Sequence, residues 1–270
     1  MLAAAPRARR ADEVYVGRSF SEAKRVASVL DAALFVVSAG LGIVSASEMV
    51  PGYDLTVVDG TNSIRSLLKT QGKKTSDWWA LLTKDDVRQR SLRSVVQQNP
   101  DSLVLVALPS SYLQMVVEDI ESLSDSEVDR VRIFTSSSGR SSVSERIRKV
   151  VLPYDERLEG SLFPGTRNDF AQRALRHFIE SLSGHRLSLK KSHEAVARAL
   201  MAMSSRQLPT RVRKTDDEIR MLLEQNWIDF GGSSTRLLRY LRDDALVACE
   251  QSRFRNLWLS VGQDLTKGLK

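Results

Sequence analysis

A short apolar stretch that ends in two glycines constrains the fold of this chain more than any other segment. Residues 34–37, Leu-Phe-Val-Val, are apolar and rich in β-branched and aromatic side chains. A run of this length is typical of a buried strand in a parallel sheet. Ser38, Gly40 and Gly42 follow it. Ligands bind at this end of the strands in open α/β sheets, and glycine lets a backbone approach them closely, so the segment predicts either a ligand-binding loop or a plain tight turn.

The first 180 residues predict strands and helices in alternation, which favours a parallel-sheet α/β fold. The predicted strands are residues 14–16, 34–37, 55–58, 103–108 and 131–135, and the predicted helices are residues 21–30, 61–69, 85–98 and 168–182. A strand, a helix and a second strand within residues 14–37 would form a βαβ unit.

Small polar residues follow three of the predicted strands, at 38–42, 109–112 and 136–140. Because the carboxyl ends of parallel strands meet at one edge of a sheet, these loops are predicted to line one pocket. There Tyr112 would offer a stacking face and Arg140 a phosphate contact. Each loop taken singly is also typical of an ordinary turn. The candidate substrate-binding residues in these loops are Gly40, Gly42, Ser110, Tyr112 and Arg140.

A second polar cluster lies at the start of the helix predicted at 168–182. It contains Arg167, Asp169, Gln172 and Arg173. The amide-rich start of a helix favours an anion, and a mixture of Arg, Asp and Gln can hydrogen-bond the edge of a base. Arg167, Asp169 and Gln172 are therefore candidate substrate-binding residues. The alternative is a capped amphipathic helix with a solvated first turn.

Three segments give the chain a resemblance to a known family. They are residues 14–27, VYVGRSFSEAKRVA; residues 35–44, FVVSAGLGIV; and residues 51–55, PGYDL. Their order resembles the YaaA-like superfamily, in which a strand ending in Ser-Ala-x-x-Gly-Leu-Val precedes a Pro-x-Tyr-Asp loop. Relatives in that group include accessory domains of archaeal tRNA-guanine transglycosylases. The spacing is kept, Ile43 stands where leucine is usual, and the overlap loosens after residue 55.

Together with a basic C-terminal region, the resemblance extends to the deazaguanine DNA-modification proteins that act on a nitrile-bearing base. It implies hydration of the nitrile of 7-cyano-7-deazaguanine in DNA to an amide, without a cofactor. Such chemistry needs an acid/base group and hydrogen-bond donors, for which Asp54, Tyr53 and Ser38 are the candidates. The implied partners are deazaguanine-modified DNA and other DNA-modification proteins. The alternative is a DNA-binding regulator whose α/β domain senses a nucleotide-like ligand.

Positive charge is concentrated toward the C-terminus. Residues 186–270 contain 16 Lys and Arg against 10 Asp and Glu, whereas residues 1–185 contain 24 against 23. A local positive field attracts polyanions, which favours nucleic acid as a partner, although a solubilising surface has the same composition. The sequence thus predicts an α/β domain at 1–185 and a smaller, mostly helical basic domain at 186–270.

The basic domain has the pattern of a helix-turn-helix. Thr215 and Glu218 have the spacing of a capping box, which opens a first helix, and glycines at 231 and 232 indicate a turn. A second helix, which residues 235–241 begin, would place three arginines on one stripe, where they either contact nucleic acid or form a solvated face. These arginines are Arg236, Arg239 and Arg242.

Several classes of chemistry have no support in the sequence. A lone cysteine, Cys249, excludes an internal disulfide and a multi-cysteine zinc site, and it fits a reducing, cytoplasmic location. His177, His185 and His193 are eight residues apart, so no metal site is predicted. Phosphate-binding, dinucleotide-binding and metalloprotease motifs do not occur. No apolar run reaches the length of a membrane span, so no membrane partner is expected.

Overall fold

The computed structural model describes residues 8–58, 60, 62–84, 90–203 and 211–267 of the chain. The protein is mixed α/β, and it divides into two compact units, Met1–Arg206 and Gln207–Lys270. Residues 186–206, which the sequence groups with the basic C-terminal domain, lie in the first unit.

Short strands and helices build the first unit, whereas helices make up most of the described second unit. The strands are β1 (Arg9–Arg10), β2 (Phe35–Ser38), β3 (Gly42–Ser45), β4 (Met49–Val50), β5 (Val104–Ala107) and β6 (Val131–Phe134). The helices of the first unit are α1 (Ala11–Val14), α2 (Arg18–Leu30), α3 (Ile64–Thr70), α4 (Thr75–Thr83), α5 (Leu92–Gln98), α6 (Ser110–Glu121), α7 (Asp125–Val128), α8 (Ser137–Ser141), α9 (Glu145–Arg148), α10 (Phe170–Glu180) and α11 (Leu189–Met201). Those of the second unit are α12 (Asp216–Asn226), α13 (Ser234–Arg239) and α14 (Gln251–Lys267).

The parallel strands predicted at 103–108 and 131–135 are confirmed. β5 and β6 pair in parallel, from Val104 opposite Val131 to Ala107 opposite Phe134. A parallel bridge between Ile133 and Val151 extends the sheet by one position. Apolar clusters lie on both sides of the sheet, which is why β5 appears in the sequence as a continuous apolar run and β6 is apolar except for the buried Arg132.

The strand predicted at 34–37 forms, but its place in a parallel sheet is wrong. β2 pairs antiparallel with β3 in a hairpin that runs from Phe35 opposite Ser45 to Ser38 opposite Gly42. Gly42 has a φ of 74°, and a Cβ there would lie 2.7 Å from Cβ of Arg90. The turn and the close approach of residue 90 therefore require this glycine, so its predicted role beside a ligand is replaced by a packing role.

The strand predicted at 14–16 is also wrong, and no βαβ unit forms. The amides of Ala11 and Asp12 donate to the carbonyls of Glu48 and Ala46, at 2.8 and 2.9 Å, which brings this segment against β4. α1 follows directly and ends at Val14, with Tyr15 as its C-cap residue. Hydrogen bonds between the N-terminal segment and residues 46–50 thus determine the local structure, in spite of the strand propensity of residues 14–16.

The predicted helices form with shifted ends. α2 begins at Arg18 after Gly17, without a side-chain cap, so a cap from either serine at 19 or 21 is wrong. α3 and α10 correspond to the helices predicted at 61–69 and 168–182. α5 corresponds to the end of the helix predicted at 85–98, while residues 85–89 lie outside the described part of the chain.

A fully buried arginine joins α10 to the loop before it. Arg173 lies 2.7 Å from the Asp169 carboxylate and 2.6 Å from that of Glu159, and it donates to the carbonyls of Phe163 and Thr166. Arg18 lies 3.0 Å from the second carboxylate oxygen of Asp169. These ion pairs and hydrogen bonds fix the loop at 159–169 against α10.

The second unit is a small cluster of helices with its own core. Thr215 and Glu218 form the predicted capping box at the start of α12, with the Thr215 amide 2.8 Å from the Glu218 carboxylate. Buried residues from α12, α13 and α14 meet in one apolar cluster, which includes Ile219, Leu223, Leu237, Phe254 and Val261. The predicted helix at 235–241 forms as α13 and continues into a π-helical turn, Tyr240–Asp244.

Replacing Asp169 by alanine is expected to lower the free energy of unfolding by about 3 kcal/mol. Removal of one partner from a buried ion pair costs about 3–5 kcal/mol, and the lower end applies because Glu159 still faces Arg173. Urea denaturation followed by circular dichroism measures the change. Glu118→Ala, on the exposed side of α6, is the control and should change the value by less than about 0.5 kcal/mol. Equal stability of the two variants would contradict a structural role for Asp169.

Candidate functional site

Three hydroxyl groups meet where β2 ends. The Tyr53 hydroxyl lies 2.5 Å from the Tyr15 hydroxyl and is also hydrogen-bonded to the hydroxyl of Ser38. Ser38 is 2% exposed, whereas both tyrosines are half-buried. The structure thus brings together two of the predicted catalytic residues, Ser38 and Tyr53, and adds Tyr15 to them.

The backbone orients the Ser38 hydroxyl within this group. The amides of Gly40 and Leu41 donate to the Ser38 oxygen, at 3.3 and 3.0 Å. A serine oxygen has two lone pairs, so these bonds leave the Ser38 proton to be donated to a tyrosine hydroxyl. Either tyrosine can donate in the bond between Tyr15 and Tyr53. Three hydroxyl protons serve two bonds between hydroxyl groups, so one tyrosine proton remains that can be donated to a ligand.

Burial keeps both tyrosines protonated. It raises the pKa of Tyr15 and of Tyr53, and it outweighs the Ser38 hydroxyl, which favours their ionised forms. The neighbouring Tyr112 raises both pKa values further. Because both tyrosines stay protonated, their hydroxyls act as donors at neutral pH.

Packing holds the hydroxyls in place. Gly40 lies under the Tyr53 ring, and a Cβ there would be 3.2 Å from it. The Trp78 indole donates to the Ala39 carbonyl at 2.7 Å, which fixes the turn after Ser38. Phe20 of α2 packs against Tyr15, with ring centroids 6.5 Å apart. A side chain at position 40 would crowd the ring of Tyr53. The close approach that the sequence predicted between Gly40 and a ligand is therefore made to this ring instead.

Asp54, the predicted acid/base residue, has a different environment. Its carboxylate is exposed and accepts a hydrogen bond from the Asn62 amide. Its neighbour Tyr53 belongs to the buried chain. Asp54 is therefore open to water, whereas the two tyrosines beside it are half-buried.

The other predicted loop residues do not all gather at this site. Ser110 is half-exposed at the start of α6, two residues before Tyr112. Arg140 lies on α8, where its positive charge lowers the pKa of His193 after the larger effect of burial. The three loops were predicted to share one sheet edge, but β2 is paired with β3, and the loops at 109–112 and 136–140 follow β5 and β6.

The residues that were predicted to form one cluster at the start of α10 lie in three different environments. Arg167 is exposed in the turn before α10. Asp169 is 1% exposed and bound to Arg173 and Arg18, so it is not available to a base. Gln172 is 9% exposed, and its amide nitrogen donates to the carbonyl of Ala107, at the end of β5, at 2.9 Å. Its amide oxygen has no hydrogen-bond partner within the described chain.

The sequence did not identify Tyr15 or Trp78 as site residues. Because residues 14–16 were predicted as a strand, the sequence did not indicate that the Tyr15 hydroxyl lies beside that of Tyr53. One signal for Tyr15 was available in the sequence: it lies in the segment at 14–27, which is one of the three that carry the family resemblance. Trp78 lies in a pair of tryptophans that follows a polar break, a pattern without a specific chemical meaning.

The three arginines predicted to contact nucleic acid occupy different positions. Arg236 and Arg239 are exposed on α13. Arg242 lies in the π-helical turn, where its guanidinium donates to the Cys249 carbonyl at 3.0 Å. Arg239 and Arg242 line a cavity in the second unit, and Arg236 is not among its lining residues. Residues 207–270 contain 11 Lys and Arg against 9 Asp and Glu, so most of the predicted basic excess lies in residues 186–206.

The histidines and the cysteine have structural partners. His177 is buried and lies 2.8 Å from the Tyr154 hydroxyl, and burial lowers its pKa. Burial likewise raises the pKa of the Cys249 thiol. Within the described residues, no group of histidine, cysteine and carboxylate side chains is arranged to hold a metal ion. None of the described helices is long and apolar enough to cross a bilayer.

The chain matches no protein-family model, no curated protein and no solved structure.

The buried tyrosines predict a loss of stability at alkaline pH. Because the folded pKa of Tyr15 lies above its ordinary value of 10.0, its contribution is complete below about pH 10 and falls as pH rises toward the folded pKa. Tyr15→Phe removes this contribution, so its free energy of unfolding should decline less steeply above pH 10 than that of the unsubstituted protein. Urea denaturation at a series of pH values measures both slopes. Identical slopes would show that Tyr15 ionises equally easily in the folded and unfolded chain.

Proposed function

We propose that the protein is an enzyme that modifies a base in DNA, with a YaaA-like first unit that holds the reacting base and a helical second unit that contacts the DNA. The observation that carries this proposal is the hydrogen-bonded chain of three hydroxyl groups, from Ser38 through Tyr53 to Tyr15. A preorganised donor is what a reaction needs when negative charge develops on a substrate atom.

The proposed reaction is hydration of the nitrile of 7-cyano-7-deazaguanine in DNA. Water adds across the carbon–nitrogen triple bond: its oxygen bonds to the carbon, and the nitrogen gains a proton. The resulting imidic acid tautomerises to the amide, so the net change is the addition of one water molecule. Tyr15 donates to the nitrile nitrogen as negative charge develops there, and Tyr53 and Ser38 polarise that donor through their hydrogen bonds.

Asp54 is the proposed base that accepts the proton of the attacking water. Its carboxylate is exposed, so water reaches it, and its hydrogen bond to Asn62 fixes one oxygen. The half-buried ring of Tyr112 offers a stacking face to the base. Gln172 provides a buried amide oxygen without a partner, which suits an amino or imino group at a base edge.

A second function, from a different class, is favoured by one observation. Asp54 has an exposed carboxylate, whereas the general base of a closed active site is commonly shielded. A DNA-binding regulator would use the same donors to sense a nucleotide-like ligand without changing it. The two functions differ in whether the base changes mass.

Mass analysis of digested DNA tests the proposal directly. DNA that contains 7-cyano-7-deazaguanine is incubated with the protein, and we expect the modified nucleoside to gain the mass of one water molecule. Tyr15→Phe should lower the rate by about 100- to 1,000-fold, as is typical when one such donor is removed. Asp54→Asn should also lower it by at least about 100-fold.

Glu118→Gln, at the exposed surface of α6, is the control and should retain the full rate. Circular dichroism of each variant verifies that it is folded. Unchanged DNA with tight retention of the modified nucleoside would favour the regulator instead. Full turnover by folded Tyr15→Phe would remove the hydroxyl chain from the mechanism.

A further inference from the structure

We infer that the cavity of the second unit binds single-stranded DNA, with its arginines on the phosphates and Trp258 under a base. This inference rests on the proposed function, since it specifies the form of DNA that the protein holds. The cavity has a volume of about 690 Å³, within the range of about 300–1,000 Å³ that ligand sites commonly have. Its charged and aromatic lining consists mainly of Arg211, Arg239, Arg242, Arg255, Phe254 and Trp258.

Positive charge dominates the lining. Four arginines line the cavity, and the carboxylate among the lining residues belongs to Asp243. Asp243 lies 3.0 Å from Arg211 and 4.0 Å from Arg239, so it is shared between them. Arg255 is exposed, and the described part of the chain gives it neither an ion pair nor a hydrogen bond. The cavity therefore holds an excess of cationic donors, which suits successive phosphates.

Two of the four arginines are held in fixed positions. Arg211 donates to the carbonyl of Arg242 at 2.7 Å, and Arg242 donates to the carbonyl of Cys249 at 3.0 Å. By contrast, the side chain of Arg239 is 82% exposed, and Arg255 is also exposed. Arg211 and Arg242 therefore form a fixed part of the cavity wall. The exposed side chains of Arg239 and Arg255 can move to contact a phosphate backbone.

The aromatic wall is rigid. The Trp258 indole donates to the Gly232 carbonyl at 2.9 Å and stacks on Trp227, with ring centroids 6.1 Å apart and an angle of 22° between the rings. Phe254 is 3% exposed and lies beneath the cavity. An aromatic ring that is already oriented can stack on an unpaired base, and every base has such a face.

The shape of this surface favours a single strand over a duplex. A duplex-reading helix must project into a major groove about 12 Å wide. α13 has only six residues, about 9 Å of helix, before the π-helical turn begins. Arg236 lies outside the cavity, whereas Arg239 and Arg242 line its concave wall. Because a stacked duplex hides its base faces from Trp258, only an unpaired strand can use both the charges and the ring.

Binding of fluorescent oligonucleotides to the full-length protein tests this inference. The probes are a single-stranded DNA of mixed sequence, the same sequence as a duplex, and the matching single-stranded RNA, all without modified bases. We expect the DNA single strand to bind at least about tenfold more tightly than the duplex at 0.1 M salt. Arg239→Ala combined with Arg255→Ala should weaken single-strand binding and make its logarithmic salt dependence shallower by about 1.4, since each lost phosphate contact changes the slope by about 0.7.

Arg236→Ala is the matched control, because Arg236 lies on the same helix as Arg239 and outside the cavity. It should change the affinity by less than about twofold. Trp258→Leu should weaken binding by roughly 5- to 150-fold, and Trp258→Phe, which keeps an aromatic ring, should restore much of it. If Trp258→Leu does not fold, the arginine pair and Trp258→Phe still decide the outcome.

Equal or tighter binding of the duplex would overturn the preference for a single strand, and tighter binding of the RNA would overturn DNA as the ligand. Unchanged affinity in a folded Arg239 and Arg255 double variant would overturn the cavity as the binding site. Because the probes carry no modified base, these results do not depend on catalysis. Loss of the proposed reaction with intact single-strand binding would reject the enzyme function alone.

Discussion

The buried guanidinium of Arg173 is the interaction on which the first unit depends. A charge with no exposed surface must be surrounded by acceptors, and here carboxylates and carbonyls of the loop at 159–169 provide them. Asp169 also lies against Arg18, so the same cluster joins α10 to the start of α2. α2 in turn brings Phe20 against Tyr15. One buried charge thus connects the C-terminal half of the unit to the hydroxyl chain at β2.

The hydroxyl site has a different physical basis, since it depends on neutral hydrogen bonds among three hydroxyl groups, one of which is oriented by the backbone. The amides that follow Ser38 fill its lone pairs, and burial disfavours ionisation of both tyrosines. A fixed donor chain of this kind costs little reorganisation when charge develops on a ligand. The exposed carboxylate of Asp54 complements it, because proton acceptance requires contact with water.

The sequence predicted those parts of the fold that depend on local composition. Residues 103–108 are entirely apolar and residues 131–135 are mostly so, a composition that is typical of a covered parallel pair. The run at 34–37 is also apolar, but it pairs with β3 because the chain turns at Gly42 and residue 90 packs against this turn. The composition of the run reveals neither of these contacts. Ser38, Tyr53 and Tyr112 were predicted for the candidate site. Tyr15 was missed because pairing of the N-terminal segment with β4 changed its local structure, and Asp169 was assigned to a ligand because the sequence does not reveal that Arg173 is buried beside it.

The two backbone amides that donate to Ser38 connect the turn after β2 to the hydroxyl site. Removal of the Ser38 hydroxyl would leave the amides of Gly40 and Leu41 without the acceptor that they have in the structure. Leaving a buried donor unpaired costs about 1–3 kcal/mol, so a substitution at Ser38 would disturb the turn as well as the hydroxyls. Removal of the Tyr53 hydroxyl, by contrast, leaves these amide bonds in place and breaks only the link between Ser38 and Tyr15. The backbone at residues 40 and 41 and the two tyrosines are therefore coupled through a single serine oxygen.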